Sequence, residues 1–117
     1  MNDTPMSISE LVVDGRVVTV DSAGQGAGLL LLHGFPETRA TWRSVAPALA
    51  KRFHVVCPDL PGYGGSERLS DGPGGFDKAR VADHMVPLMK ALGHDTFAVV
   101  GHDRGGLVGV LVVMEQD

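Results

Sequence analysis

The sequence predicts an α/β fold, with an N-terminal β-hairpin followed by a mostly parallel sheet and helices on both faces. Three observations carry that prediction. The apolar runs Leu29-Leu30-Leu31-Leu32, Phe53-His54-Val55-Val56-Cys57-Pro58 and Phe97-Ala98-Val99-Val100 have the length and saturation of buried strands. Stretches with helical spacing separate them. The unusual residues gather in glycine-rich segments at the ends of these runs, matching the rule that open α/β sheets bind ligands beyond the carboxyl ends of their strands.

Taken in order, Ile8 to Val13 and Arg16 to Asp21 flank Asp14-Gly15, a hairpin-turn dipeptide. Val18 and Val20 alternate with more polar neighbours, which predicts a half-exposed edge hairpin. Gly24-Gln25-Gly26-Ala27-Gly28 reads as a flexible link. Its glycines precede a strand rather than open a helix, which argues against a dinucleotide fingerprint. Trp42, Val45, Ala46 and Leu49, spaced i, i+3, i+4 and i+7, predict a helix with one apolar face, and Pro47 must fall in its first turn or kink it. The polar, glycine-rich stretch from Arg68 to Gly75 reads as an exposed connection. Asp77 is a candidate N-cap for a helix to about Leu92, stopped by Gly93. Val81, Met85, Leu88, Met89 and Leu92 form its buried stripe, and Pro87 is expected to bend it. The run from Leu107 to Met114 is apolar all round, so a helix there requires full burial. The strand from Phe97 is expected to lie bare at a sheet edge.

The chain has 117 residues, enough for one domain, and its 44% hydrophobic and 21% charged residues are those of a globular protein. A net charge of -4 with no basic run argues against nucleic acid or anionic lipid as a partner. Met1-Asn2-Asp3-Thr4-Pro5 has neither a basic start nor an apolar stretch, and the longest apolar run is too short to span a bilayer. A cytoplasmic location without membrane contact is the expectation. The single cysteine, Cys57, reads as a small core residue. No histidine–carboxylate group has metal-ligand spacing, and no cofactor is expected.

Gly101-His102-Asp103-Arg104-Gly105-Gly106 follows a strand run and precedes a helical one. That is the pattern of a nucleophile elbow, a sharp strand-to-helix turn that pushes its middle residue out on a strained backbone. Aspartate stands at the position hydrolases commonly give to serine. A carboxylate is already ionised at neutral pH and suits attack on an alkyl carbon or epoxide to give a covalent ester. A simple helix N-cap fits the same position. Upstream, His33-Gly34-Phe35-Pro36-Glu37-Thr38 leaves one strand and Asp59-Leu60-Pro61-Gly62-Tyr63-Gly64-Gly65-Ser66 leaves the next. His102 adjoins Asp103, and neighbours on an extended strand point oppositely, so it does not read as its base. His54, His84 and His94 read as solvated residues at a strand start or on helix surfaces.

These three motifs in this order resemble the α/β-hydrolase family, from about Leu29 to Gly106, and within it the aspartate-nucleophile branch of haloacetate dehalogenases, haloalkane dehalogenases and epoxide hydrolases. The resemblance implies Asp103 as nucleophile and the backbone N–H groups of Phe35 and Arg104 as an oxyanion hole. It implies a cis bond before Pro36, where the residues alone allow an ordinary loop proline. His33 is carried as a structural loop residue, and the segment from Asp59 reads as scaffold. The Arg104 side chain resembles that of haloacetate dehalogenases, where it clamps a substrate carboxylate; a surface arginine at a helix start stays open as the alternative. That branch has a second arginine one helical turn on, where this chain has Leu107.

The expected activity is therefore hydrolysis of a small molecule through an alkyl-ester intermediate, in the manner of a haloacetate dehalogenase, with epoxide hydrolase as the alternative. A serine-type esterase is disfavoured, because Ser66 lies on a loop and no serine occupies the elbow. In this family the acid and the histidine lie well downstream of the nucleophile. Residues 1–117 are accordingly expected to be the N-terminal part of one domain, with the C-terminal half and the cap outside them. The non-enzyme alternative is a truncated, catalytically incomplete piece, or a half that meets the missing C-terminal segment in trans.

Overall fold

The computed structural model describes residues 6–34, 37–67, 78–103, 105, 106, 108, 109 and 112. Ser7–Val13 (β1) and Arg16–Ala23 (β2) pair antiparallel, from Ser7 opposite Ser22 to Val13 opposite Arg16. Asp14 and Gly15 close the hairpin with φ of 49° and 79°, the two positive values that a type I′ turn requires. β2 departs from the half-exposed strand its alternation suggests. It lies inside the sheet, between β1 and β4, so Val18, Thr19, Val20 and Asp21 are all buried. β1 is the outer strand instead and carries the exposed Ile8 and Val12.

Gly28–Leu32 (β3), His54–Pro58 (β4) and Phe97–Gly101 (β5) are the three apolar runs, and they pair in parallel, with β3 between β4 and β5. The strand order is β1-β2-β4-β3-β5, with β2 joining β4 antiparallel. Successive side chains of a strand face opposite sides, and β3 divides its leucines accordingly. Leu30 and Leu32 join Val20, Val56, Met85, Leu88, Met89, Val108 and Val112 on one face. Leu29 and Leu31 join Ala46, Ala50, Val55 and Cys57 on the other, beneath Trp42, Leu49 and Phe53. Burial, and secondarily Asp21, push the Cys57 thiol up to about 12, so it behaves as a core residue rather than a nucleophile.

The predicted helix through Trp42 and Leu49 is two shorter pieces, a 3₁₀ turn over Arg39–Trp42 and one α-helical turn over Ala46–Leu49 (α1). Pro47 sits in the first turn of α1, where its missing N–H is harmless; a continuous helix would have needed that donor. Lys78–Ala91 (α2) contains Pro87 and buries Val81, Met85, Leu88 and Met89, with Leu92 packed beside them. Gly93 ends it at φ 94°. His94 N–H donates to the Met89 carbonyl and Gly93 N–H to the Lys90 carbonyl, the paired bonds of a Schellman motif.

His84 is not the solvated helix residue expected. It is 4% exposed, at a polar cavity of about 300 Å³ lined also by Asp14, Arg16, Arg80 and Asp83. Its Nε2 has no hydrogen-bond partner, and burial lowers its pKa, opposed by Asp14. After β5, Gly105, Gly106, Val108, Gly109 and Val112 are helical, and Val108 and Val112 bury one face in the core with α2. β5 is the second outer strand, with Ala98 and Val100 exposed. The stretch from Arg68 to Gly75 and the candidate cap Asp77 lie outside the described residues. Among the described residues no helix is long and apolar enough to cross a membrane.

Candidate active site

β3 and β5 run side by side to their carboxyl ends, Leu32 opposite Gly101, and the chain breaks from both at the same level. His102 N–H still donates to the Leu32 carbonyl at 3.0 Å, which carries the ladder one residue past β5. Asp103 then takes φ 56°, a left-handed conformation that short polar side chains tolerate better than others but still at a cost. Gly105 N–H donates to the His102 carbonyl and Gly106 N–H to the Asp103 carbonyl, both at 2.9 Å, starting the helix at once. The turn is enforced sterically. A Cβ at Gly101 would lie 2.3 Å from the Gly105 oxygen, and one at Gly105 would lie 2.2 Å from the Leu32 oxygen. Asp103 is left exposed at the tip.

The loop after β3 comes against this tip. A Cβ at Gly34 would stand 2.7 Å from the Asp103 Cβ and 3.0 Å from its Oδ2, so residue 34 has to be glycine for the two loops to touch. His33 fixes the start of the loop. Leu60 N–H donates to its Nε2 at 2.9 Å, so that nitrogen carries no proton and Nδ1 is the donor to the Gly34 carbonyl. Burial lowers the His33 pKa, and the nearby Gly34 carbonyl, Asp59 and Glu37 only partly oppose it. His33 is therefore a neutral strut with both nitrogens engaged, as its reading as a structural residue requires. Glu37 closes the loop: its N–H donates to the Gly34 carbonyl at 2.8 Å and its Oε1 accepts from Gly34 N–H at 3.2 Å. The same oxygen lies 3.5 Å from His102 Nδ1, linking the loop to the elbow.

A third loop, after β4, is tied to the first by a buried ionic knot. Asp59, wholly buried, accepts from Arg39 N–H, Arg39 Nη1 and Gly65 N–H at 2.7, 2.6 and 2.9 Å. Arg39 Nε also donates to Asp21 of β2 at 2.8 Å. The hydrogen bond to Asp21, partly offset by desolvation and reinforced by Asp59, holds this guanidinium above the usual arginine range. Ser66 completes the knot, donating from Oγ to the Asp59 carbonyl and accepting Thr19 N–H. Asp59 thus acts as a scaffold, consistent with its expected role. Single-sequence reasoning missed Arg39 and Asp21 as its partners. A carboxylate at the end of a buried strand signals that a cation is needed, but nothing local says which.

The structure therefore brings Asp103, Gly34, Glu37, His33 and Asp59 to one end of the sheet. Phe35 and Arg104, the expected backbone donors, and Pro36 lie outside the described residues, as does the Arg104 side chain. Among the described residues no group of three or more metal-ligating side chains occurs. What the geometry offers chemically is a carboxylate presented to solvent on a constrained turn, at the start of a helix whose positive end favours an anion.

Comparison with known proteins gives the same picture. Residues 29–116 match the family model of the alpha/beta hydrolase fold. The soluble epoxide hydrolase of Corynebacterium sp. (strain C12) is 41% identical over 105 residues, which are 90% of this chain and 36% of that protein. The fluoroacetate dehalogenase of Burkholderia sp. is 44% identical over 102 residues, 84% of this chain and 34% of that protein. The crystal structure of an epoxide hydrolase from Vigna radiata superposes with a TM-score of 0.87 at 31% identity, covering 93% of this chain and 35% of that one. The chain thus spans about a third of the length of these relatives. With the strand order, the elbow and the family match in agreement, the chain belongs to the α/β-hydrolase fold family.

Proposed function

We propose that this chain carries the nucleophilic part of a hydrolase that works through an aspartyl ester. The observation that carries the reading is Asp103, held at φ 56° on a turn where Gly101 and Gly105 leave no room for a side chain, with Gly34 packed against it. One carboxylate oxygen of Asp103 attacks the substrate carbon. The new C–O bond forms as the carbon–halogen bond breaks and halide leaves, or as an epoxide C–O bond opens to an alkoxide that takes up a proton. The amides of Phe35 and Arg104 then serve the hydrolysis of the ester, where negative charge develops on its carbonyl oxygen. In the dehalogenase form the Arg104 guanidinium binds the carboxylate of a haloacid, a geometry that two parallel N–H donors suit.

Hydrolysis also needs a base to activate water. The engagement of the histidines supports placing that base outside this chain. His33 uses both nitrogens, His54 faces His94 at the other end of the sheet, His84 is buried beside the hairpin turn, and His102 faces Glu37. The chain alone is proposed to take one alkyl group and keep it, and to turn over only with a complementary C-terminal segment.

Intact-mass measurement of the chain after incubation with a reactive haloacid or epoxide tests this. The expected result is a single adduct, mapped to Asp103 and absent in Asp103→Asn. An adduct that persists in Asp103→Asn, or repeated turnover by the chain alone, overturns the proposal. The 41% identity to an epoxide hydrolase and the 44% to a fluoroacetate dehalogenase support both substrate classes. Arg104 favours the haloacid, and Leu107, where a second arginine would stand, favours the epoxide.

A further inference from the structure

At the amino ends of the parallel strands, opposite the elbow, two histidines meet. His54 is the first residue of β4, and His94 follows the glycine that closes α2. His54 Nδ1 and His94 Nε2 are 2.6 Å apart, with ring centroids 4.9 Å apart and planes tilted by 44°. Between them lies Gly28 of β3, in register with His54 on one side and with Phe97 of β5 on the other. A Cβ at Gly28 would stand 2.9 Å from both Cγ and Nδ1 of His94. The two rings therefore reach each other across β3 because residue 28 has no side chain.

We infer that His54 and His94 form a one-proton clasp over Gly28, which opens when the pair takes up a second proton and loosens the junction between α2 and β5. Two imidazole nitrogens at this separation need one hydrogen between them. A neutral or singly protonated pair supplies it; once both rings are imidazolium, two N–H groups and two positive charges face each other. Burial, and secondarily the charge of His94, lower the His54 pKa, which is the direction such a clasp requires. The other ionisable residues on the segments that converge here are Asp95, next to His94, Lys90 in the last turn of α2, and Lys51 and Arg52, ahead of Phe53. On the β3 side Gly28 contributes none. The Schellman bonds from Gly93 and His94 to the end of α2 tie the clasp to that helix. Its opening frees the start of β5, the strand whose far end carries the elbow.

Titration of the imidazole proton resonances of the native chain, with amide exchange followed across the same pH range, tests the clasp. The two rings are expected to titrate as a coupled pair, in two steps. Through the lower step, exchange at Ala98 should accelerate about tenfold relative to Val55 and Val56 of β4. His94→Gln keeps a hydrogen-bonding group but cannot take up the proton, and should abolish that acceleration. Two independent single-step titrations overturn the clasp, as does an unchanged exchange ratio through the lower step. The wild-type titration decides the matter even where the variant does not fold.

Discussion

A methyl group at Gly105 and one at Gly106 should have opposite consequences. At Gly105 it would lie 2.2 Å from the Leu32 oxygen and 2.4 Å from the His33 oxygen, backbone atoms that cannot step aside. At Gly106 the nearest atom is 3.7 Å away, ordinary contact distance, at a helical residue with ordinary φ. Gly105→Ala is expected to destabilise the chain by about 2 kcal/mol or more, as overpacking does, and to suppress adduct formation at Asp103. Gly106→Ala is expected to be neutral or to stabilise by up to about 1 kcal/mol through helix propensity. Urea unfolding of both variants checks this, and equal losses would show that the turn is not closed by Gly105. The sequence made the elbow legible because its glycines flank the extruded residue. It did not show which of the adjacent glycines the turn needs, since that depends on the Leu32 and His33 carbonyls, some seventy residues upstream. Glu37 was overlooked for a similar reason. Its role appears only once its carboxylate is seen between Gly34 and His102.

Among the elements, Arg39 ties the loops after β3 and β4 to each other and to β2. Its guanidinium spans Asp21 and Asp59, whose side chains are 6% and 0% exposed. Arg39→Met would leave the buried Asp59 without its cation and Asp21 with only the more distant Arg43, whose Nε is 4.0 Å away, a change that typically costs about 3 kcal/mol. Asp59→Asn should also cost stability, because a single amide oxygen can replace Oδ1, which accepts from Arg39 N–H, or Oδ2, which accepts from Arg39 Nη1 and Gly65 N–H, but not both. Chemical denaturation is the measurement, and a loss in Arg39→Met no larger than that of an exposed arginine would mean that the knot is not structural. β2 was misjudged for a reason of the same kind. Alternating polarity reads as one wet face, but Thr19 and Asp21 are polar residues that the sheet buries, Asp21 against Arg39 and Thr19 beside Gly65. The helix predicted from Trp42 to Leu49 had the right apolar face and the wrong continuity, since Pro47 allows a turn to start but not a longer helix to pass through it.

For the molecule as a whole, the three saturated runs became the three parallel strands, and the two layers of helices followed from the alternation of elements. Long-range polar pairings stayed hidden, because one chain carries no record of which charges meet. They shape the response to acid. His33, His54 and His84 all have their pKa lowered, with burial the leading cause in each. The unfolded chain therefore binds more protons than the native one once pH falls below the ordinary histidine value of 6.5. Stability should be full above that value and decline as pH falls below it toward the lowered native values. The urea midpoint is expected to drop between pH 7.5 and 5.5, a range in which ordinary carboxylates stay mostly ionised. A flat midpoint would show that the imidazoles are not buried in their neutral forms.

The order of strands in the sheet differs from their order along the chain. The β1–β2 hairpin closes through neighbouring residues, whereas β5 reaches its place only by pairing Phe97 with Gly28, across most of the sequence. Contacts between distant residues pay the largest loop-closure entropy and tend to form late. Asp103 sits at the end of the strand with that longest closure, beside Gly34 at the end of the strand it must find. The proposed nucleophile thus comes together with its neighbouring loop only as the sheet completes, and a partly folded chain exposes Asp103 as an aspartate like any other.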